Sequence, residues 1–317
     1  MRLLLSLIFF SGVAAAQTFP DKPVRMVVGY SAGGPTDVIA RVIAQDMTAS
    51  LGQSVVVENK TGANGLIGTL EVKKAAPDGY TLLMFTLSHN VNAILMAEKK
   101  PYDPLADFTP VTMVCTLPLV LVAKGDSPVN SVTDLISQAK AQPGQVSYAS
   151  AGNGGSAHLA AALLATLSKT QMTHVPFRGN APALTEVMAG RVTFMFYPMV
   201  GIAEQVSQKR LKALAVSTAQ RHADYPGVPT MAESGFPGFE EYSQGLGVVG
   251  PRGVPAAAVD KLNAAVRASL AKPETRTRLA ALGAVTQASS PQELTAWLKQ
   301  DAERWARVIK AAGVKEE

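Results

Sequence analysis

Two glycine-rich segments of the chain hold the residue types that most readily bind a small anion. Each segment follows a β-rich run and precedes a helical pattern, so each predicts a helix N-terminus whose backbone N–H groups are open to a ligand. The N–H donors and the helix dipole both favour a carboxylate at such a place. The alternative in each case is an ordinary turn between a strand and a helix, without a ligand. The candidate ligand-binding residues are Tyr30, Ser31, Ala32, Gly33, Gly34, Thr36 and Asp37 in the first segment, and Gly152, Asn153, Gly154, Ser156 and His158 in the second.

Three side chains in these segments have alternative roles. Asp37 lies near the third helical position, where a carboxylate complements the helix dipole. It can also accept a hydrogen bond from a ligand amine, a ligand hydroxyl or a bridging water. Ser156 can cap its helix or donate to a polar group of the ligand. His158, in the first turn of its helix, is either a ligand contact or a buried, hydrogen-bonded structural histidine.

Two other loops contain candidate ligand contacts. Thr86 and Ser88 follow a predicted strand, and open α/β sheets bind ligands at the carboxyl ends of their strands, so these hydroxyl groups are candidate donors. Phe177 and Gly179 can line a cleft, and the guanidinium of Arg178 between them can hold a carboxylate. The alternative for Arg178 is a solvated side chain in a loop.

Enzyme, cofactor and metal sites find little support in the sequence. Residues 29–33 match the G-x-S-x-G nucleophile elbow, which would make Ser31 a hydrolase nucleophile, but no earlier strand of the mature chain remains to supply the oxyanion donor. Gly152, Gly154 and Ala157 fit a dinucleotide fingerprint without the acidic residue expected about 20 positions later. The four histidines lack the spacing of metal ligands. We therefore expect a protein that is not an enzyme and has no cofactor and no metal.

Strands and helices alternate along the chain and must position these residues. Strands are predicted at 24–28, 54–58, 81–85, near 146, at 192–196 and at 211–216, with β-rich segments at 111–123 and 246–249. Helices are predicted to begin near 35, 67, 131, 156, 181, 255, 274 and 291. This alternation implies a parallel sheet covered on both faces. Without a repeat or a flexible linker, it predicts two α/β domains joined by crossing strands near residues 121 and 245. The predicted domains are residues 17–121 with 245–317, and residues 122–244.

Length and composition agree with two globular domains, since the chain has 317 residues, of which 47% are hydrophobic and 17% charged. The net charge of +5 is spread along the chain, so we expect no nucleic-acid-binding face. The single cysteine, Cys115, excludes an intramolecular disulfide. Residues 1–16 combine Arg2, an apolar run and a final Ala14-Ala15-Ala16, which predicts a secretory signal peptide. No transmembrane helix is predicted after it, and an exported protein without a disulfide fits a bacterial periplasm. We also expect a monomer.

Segments distributed over nearly the whole mature chain give it a resemblance to a known family. They are VVGYSAGGPTDVIAR (27–41), VVENKTGANGLIG (56–68), APDGYTLL (76–83), PYDPLADFTPV (101–111), SAGNGGSAHLAA (150–161), VPFRGNAPALTEVMAGRV (175–192), PTMAESGFPGFE (229–240) and PRGVPAAAVDKLNAAV (251–266). In these segments the chain resembles the TctC-like substrate-binding receptors of tripartite tricarboxylate transporters, also called Bug proteins.

The resemblance implies a type II periplasmic-binding-protein-like fold, with two α/β domains around a central ligand cleft. It implies a receptor that closes over a small carboxylate, such as a dicarboxylate, a tricarboxylate or an aromatic acid. The receptor would deliver this ligand to a membrane permease with one large and one small subunit. The two glycine-rich segments would hold the carboxylate, with the loops at 86–88 and 177–179 beside it. A sensor that contacts a histidine kinase instead of a permease is an alternative.

The chain departs from the family's pattern at two places. The family commonly has acidic residues soon after the glycine that matches Gly190, where this chain has Thr193 and Tyr197. Tyr197 would instead offer an aromatic face and a hydroxyl to the ligand. Gly29 stands where proline is usual. We therefore expect the carboxylate site to be kept, and we expect a ligand without a free amino group.

Overall fold

Two β-sheets with helices packed against them organise the chain. The fold is that of a computed structural model, which describes residues 19–177, 179–199, 202–223 and 225–315. The predicted signal peptide and the candidate ligand residue Arg178 lie outside the described residues.

The first sheet has six strands and the second has five. The strands of the first sheet are β1 (Val24–Val28), β2 (Val55–Asn59), β3 (Thr81–Phe85), β4 (Phe108–Leu117), β10 (Gln244–Pro251) and β11 (Val285–Thr286), in the order β11-β4-β10-β3-β1-β2. The strands of the second sheet are β5 (Leu119–Lys124), β6 (Ser147–Ser150), β7 (Thr173–Pro176), β8 (Phe194–Pro198) and β9 (Leu211–Val216), in the order β7-β6-β8-β5-β9.

The α-helices of the described ranges follow the strands that they cover. They are α1 (Pro35–Leu51), α2 (Leu66–Lys73), α3 (Ser88–Leu95), α4 (Val132–Ala141), α5 (Ser156–Ser168), α6 (Asn180–Met188), α7 (Ala203–Ser207), α8 (Ala256–Ala271), α9 (Pro273–Ala281) and α10 (Pro291–Ala312). Within these ranges, no helix combines the length and the apolar character that crossing a bilayer requires.

The core forms where apolar runs of the sequence become central strands. All five residues of β3 are buried, as expected for a strand covered on both faces. The helical periodicity of α1 places Ile39, Ile43 and Met47 on one face, and all three are fully buried against the first sheet. These elements confirm the predicted strand at 81–85 and the predicted helix face that begins at Ile39.

Both sheets are mixed, so the prediction of a parallel sheet is wrong in part. Strands β1, β2 and β3 are parallel to one another, but β10 runs antiparallel to both β3 and β4. In the second sheet β5 runs antiparallel to both β8 and β9. Strands β5 and β10 bring the chain into the second sheet and back into the first. Neither follows a crossover helix from a strand of its own sheet, as the parallel strands of a βαβ unit do.

Helix α10 packs against the cores of both sheets. Leu294 and Leu298, in its first half, belong to a core cluster of the first sheet. Trp305, Val308 and Ile309, in its second half, belong to the core cluster of the second sheet. The strands change from one sheet to the other at Pro118 and again between β9 and β10, while the division of the whole chain into two domains stays a prediction.

Candidate functional site

The two glycine-rich segments fold into the same kind of turn. We call Tyr30–Asp37 the first glycine loop, which joins β1 to α1, and Gly152–His158 the second glycine loop, which joins β6 to α5. Gly33 has φ +77° and Gly154 has φ +72°. This left-handed conformation is costly for residues with a Cβ atom, so the turn itself explains the glycine at each position.

The residue after each of these glycines caps the helix in the same way. Gly34 (φ −75°, ψ 166°) and Gly155 (φ −72°, ψ 164°) are the extended N-cap residues of α1 and α5. The N–H of Gly34 donates to the Ser31 carbonyl at 3.2 Å, and the N–H of Gly155 donates to the Gly152 carbonyl at 3.4 Å. The two helices therefore begin with nearly identical backbone geometry.

A side chain from the third helical residue holds each turn in place. The Gly33 N–H donates to Asp37 Oδ2 at 2.9 Å, and the Gly154 N–H donates to His158 Nδ1 at 3.0 Å. The Asp37 carboxylate and the His158 imidazole have the same structural role here, because each accepts a hydrogen bond from the N–H of the left-handed glycine. The sequence did not reveal this equivalence, since it depends on the helix register rather than on residue type.

The first backbone N–H groups of α1 and α5 have no described hydrogen-bond partner, and we call them the open N–H groups. Among the described residues, no side chain caps either helix. Of the two roles considered for Ser156, the structure contradicts the helix cap, because the N-cap residue is Gly155 and Ser156 is already helical. Thr36 and Ser156 thus lie in the first turns of the two helices, where N–H groups have no partner within the helix. Each terminus has the donors and the dipole that bind an anion.

Asp37 is held by hydrogen bonds from three other residues and is only 2% exposed. Asn59 Nδ2 donates to its Oδ1 at 2.8 Å, while Gly33 N–H and Arg41 Nε each donate to its Oδ2 at 2.9 Å. Burial raises the pKa of Asp37, but the hydrogen bonds from Arg41, Gly33 and Asn59 outweigh burial and hold the pKa below its usual range. Asp37 is therefore an ionised residue that shapes the first glycine loop, and its role toward a ligand stays a prediction.

His158 is a buried neutral histidine that braces the second glycine loop. Since its Nδ1 accepts from Gly154 N–H, its proton lies on Nε2. Its ring stacks on His174 with a centroid separation of 3.8 Å, and Tyr148 stacks on both histidines. Burial lowers the pKa of His158 to about 3 and that of His174 to about 4. His174 also lies 2.6 Å from the hydroxyl of Ser150, just before the loop.

The predicted hydroxyl donors meet beneath the first glycine loop. The hydroxyl of Tyr30 lies 2.9 Å from Ser88 Oγ, 3.0 Å from Thr86 Oγ1 and 3.2 Å from Asn64 Oδ1. Thr86 and Ser88 are buried and lie 3.0 Å from each other. Thr86 comes from the end of β3, whereas Ser88 begins α3, a helix that the sequence did not predict. These groups form one connected cluster of polar atoms, to which the first glycine loop contributes the Tyr30 hydroxyl.

Three asparagines that the sequence did not single out support the first glycine loop. Asn59, at the end of β2, donates to the Tyr30 carbonyl as well as to Asp37. Asn64 adopts φ +50°, a conformation that asparagine tolerates better than most residues. Asn92 Nδ2 donates to the Asn64 carbonyl at 3.0 Å. The neighbouring glycines at 62 and 65 were a sequence signal of an irregular turn around Asn64, but its partners come from tertiary packing.

The second glycine loop approaches the first glycine loop across α3. A Cβ atom on Gly154 would lie 2.8 Å from Leu95 Cδ1, 3.1 Å from Val91 Cγ1 and 3.5 Å from Asn64 Nδ2. Asn64 in turn contacts the Tyr30 hydroxyl. The structure therefore brings residues from both predicted segments to one place, where α3 and Asn64 lie between them.

The remaining candidates lie near the end of the second sheet that carries the second glycine loop. Phe177 continues β7, where its N–H donates to the Ser150 carbonyl at 2.9 Å, and its half-buried ring contacts the second core. Gly179 has φ +122° and precedes α6. Tyr197 lies near the end of β8 with its ring half-buried, and burial raises the pKa of its hydroxyl. Arg178 lies outside the described residues.

Two side chains, at opposite ends of the second sheet, are engaged with other parts of the chain. Asn153 Nδ2 donates to the Lys315 carbonyl at 2.7 Å, which ties the second glycine loop to the end of the chain. Thr193, at a position where the family commonly has an acidic residue, accepts a hydrogen bond on its Oγ1 from the Ser147 N–H at 3.1 Å. The side chain of Thr193 thus joins β6 to the start of β8.

Other kinds of site lack a comparable geometry. No described hydrogen bond joins the Ser31 hydroxyl to a histidine, as a serine hydrolase would need. In the described ranges, no three His, Cys, Asp or Glu side chains are grouped to hold a metal. A surface cavity of about 410 Å³ lies at the opposite end of the second sheet, lined in part by Lys124, Asp126 and Arg210. The C-terminal end of α6 lines this cavity, whereas none of its lining residues belongs to a helix N-terminus.

Comparisons with known proteins show which family the chain resembles. A family model described as the tripartite tricarboxylate transporter family receptor, TctC, matches residues 39–314. The UPF0065 protein in the tcbD-tcbE intergenic region of Pseudomonas sp. (strain P51) is 40% identical over 292 residues, which cover 92% of this chain and 86% of that protein.

Solved structures with carboxylates bound are similar over most of their length. Rpa4515 of R. palustris with adipate has a TM-score of 0.87 and 34% identity, covering 94% of this chain and 99% of that one. MatC of Rhodopseudomonas palustris with bound malate has a TM-score of 0.84 and 35% identity, covering 92% of this chain and 100% of that one. The two sheets are therefore those of a periplasmic binding protein, and the chain belongs to the TctC family of tripartite tricarboxylate transporter receptors.

Proposed function

We propose that the protein is a periplasmic receptor that binds a small carboxylate between its two glycine loops and delivers it to a membrane permease. The observation that carries the proposal is the repeated turn, in which Gly33 and Gly154 are each fixed by the third helical residue. Both turns leave the first N–H groups of a helix without a cap. Each terminus provides backbone donors for one carboxylate and adds no side-chain charge. Two such termini therefore suit a ligand with two anionic groups.

The charges near the loops favour a ligand without an ammonium group. Both oxygens of Asp37 are already engaged by protein donors. Tyr197, near the end of β8, stands where the family commonly has an acidic residue, so it provides no counter-charge for an amine. A buried ammonium without a partner is costly, so a dicarboxylate such as adipate or malate, which two relatives bind, fits better than an amino acid.

The family supports the proposed cell compartment and the proposed partner. Receptors of this kind act in the periplasm and serve a permease, which accords with the signal peptide that the sequence predicts at residues 1–16. Capture and release also agree with the candidate residues, which offer hydrogen-bond donors and no arrangement for covalent chemistry. The protein would then bind its ligand without turnover.

A thermal-shift panel tests the proposal. We expect at least one of adipate, malate and succinate to raise the melting temperature by several degrees. A ligand at 100 times its Kd stabilises the folded state by about 2.7 kcal/mol, which is readily measured. Aspartate is the matched control for succinate, since the two differ by one amino group, and we expect aspartate to stabilise the protein less.

The uncharged diamide of adipate provides the second control, because it keeps the length of the ligand and removes both negative charges. We expect it to leave the melting temperature unchanged. A broad panel in which no carboxylate stabilises the protein would contradict the proposal. Equal stabilisation by adipate and its diamide would show that the open N–H groups do not select an anion.

A further inference from the structure

The last residues of the described chain turn back toward the second glycine loop. Helix α10 ends at Gly313, which has φ +64°. The Val314 N–H donates to the Ile309 carbonyl at 3.1 Å, and the Gly313 N–H donates to the Lys310 carbonyl at 3.4 Å. This pattern is a Schellman-type helix end, which reverses the chain direction in a defined way.

The same end of the chain is anchored in the core of the second sheet. Trp305 and Val308 are almost fully buried there, and Val314 packs against the same core cluster. Helix α10 also packs along α5, the helix that follows the second glycine loop. The position of Lys315 is therefore fixed relative to α5 by the packing that precedes it.

The contact between this tail and the loop is a direct hydrogen bond. Asn153 Nδ2 donates to the Lys315 carbonyl at 2.7 Å. Asn153 lies between two glycines with positive φ, Gly152 at +133° and Gly154 at +72°. Glycine has the greatest backbone conformational freedom of any residue. A hydrogen bond from Asn153, which lies between two glycines, therefore restricts the most flexible part of the second glycine loop.

The first glycine loop is braced in a different way. Counting back from the matching glycines, the position of Asn153 corresponds to Ala32, which has no side-chain donor. The first glycine loop instead gains rigidity from Asp37, which Arg41 and Asn59 hold through charge-assisted hydrogen bonds. The corresponding His158 is neutral and has a stacked ring as its neighbour. The second glycine loop thus has no ionised counterpart of Asp37 and is held instead by the hydrogen bond from Asn153 to Lys315.

We propose that residues 313–315 hold the second glycine loop in the shape that binds the anion, so that Lys315 and Asn153 are positioning residues for the ligand. This inference rests on the proposed function of the loop. Lys315 acts through its main-chain carbonyl, so the identity of its side chain is not important. Residues 313–315 would then be part of the binding machinery, although they follow α10.

Two chains that differ by one residue test the inference. A chain that ends at Val314 keeps the Schellman-type turn and loses the acceptor, while a chain that ends at Lys315 keeps an acceptor oxygen as its terminal carboxylate. We expect the amides of Gly154 and Gly155 to exchange hydrogen at least about tenfold faster in the shorter chain. The first glycine loop is the internal control, and the exchange of its Gly33 amide should be the same in both chains.

Asn153→Ala provides an independent variant, because it removes the donor and leaves the tail intact. We expect it to reproduce the faster exchange in the full chain and to weaken malate or adipate binding about tenfold. Unchanged exchange at Gly154 and Gly155 in both variants would overturn the inference. The exchange measurement needs no ligand, so it tests this inference separately from the proposed function. Faster exchange in the variants, together with no carboxylate binding in the thermal-shift panel, would overturn the proposed function. It would still support the inference that residues 313–315 hold the second glycine loop.

Discussion

Replacing Gly33 with valine should weaken carboxylate binding by at least about 100-fold. Gly33 has φ +77°, and a β-branched residue in this conformation is strained by about 1–3 kcal/mol. A Cβ atom at Gly33 would have no atom within 4 Å, so the effect comes from the backbone and not from a clash. Relief of the strain would break the hydrogen bond from Gly33 N–H to Asp37 and would turn the open N–H groups away from the anion. Isothermal titration calorimetry with the tightest-binding carboxylate measures the loss.

Gly52→Val is the matched control for this variant. Gly52 is at the other end of α1, has φ +68° and also has open space around the position of a Cβ atom. Both variants should lose a similar amount of stability in urea unfolding, about 1–3 kcal/mol, because the backbone strain is the same. Binding should be normal in Gly52→Val. Equal affinity in the two variants would show that the first glycine loop is only structural.

Replacing Gly154 with valine should also weaken binding by about 100-fold, but for an additional reason. Gly154 shares the left-handed conformation, and its Cβ atom would approach Leu95 and Val91 to 2.8 and 3.1 Å. The side chain would therefore push the second glycine loop away from α3 as well as strain the turn. Gly144→Val, with φ +78° and open space in the turn before β6, is the control and should bind normally.

A double variant separates strain from crowding at Gly154. Leu95→Ala removes the atom nearest to the new side chain, so it should restore part of the affinity that Gly154→Val loses. The coupling between the two changes, measured as a double-mutant cycle, should be at least about 0.5 kcal/mol. Strictly additive effects, or an equal loss of affinity in Gly144→Val, would contradict the close approach of the loop to α3.

The sequence predicted the location of the two loops, because a pair of glycines between a strand and a helical pattern has a local physical meaning. It could not show which glycine of each pair needs the left-handed backbone conformation. Gly33 needs its positive φ, whereas Gly34 is an extended N-cap residue with φ −75°, so the conformational demand falls on Gly33. This difference depends on where α1 begins, and helix boundaries are the least certain part of a prediction from sequence.

The partners of the loop residues were beyond reach for a different reason. Asn59 lies 22 positions after Asp37, and Lys315 lies 162 positions after Asn153, so neither contact leaves a local pattern. The roles of Asp37 and His158 were open in the sequence because each residue type suits either a ligand or a structural hydrogen bond. The structure shows the structural bond in both cases.

The fold was predictable as far as local patterns determine it. Continuous apolar runs indicated strands such as β3, and periodic apolar residues indicated the face of α1. The antiparallel direction of β5 was not predictable, because its neighbours β8 and β9 come from much later in the chain and leave no local pattern. Helix α3 was missed because its eight residues are too few to show a clear period and because His89 and Asn90 interrupt its apolar face.

Amide chemical shifts measured during a ligand titration test the central claim most directly. In ¹⁵N-labelled protein titrated with the carboxylate that gives the largest thermal shift, we expect the largest changes at the first N–H groups of α1 and α5. Thr36 and Asp37 should respond in the first glycine loop, and Ser156 and His158 in the second, because these are the donors that no side chain caps. Largest changes at the cavity near Lys124, with both loops unaffected, would contradict the account.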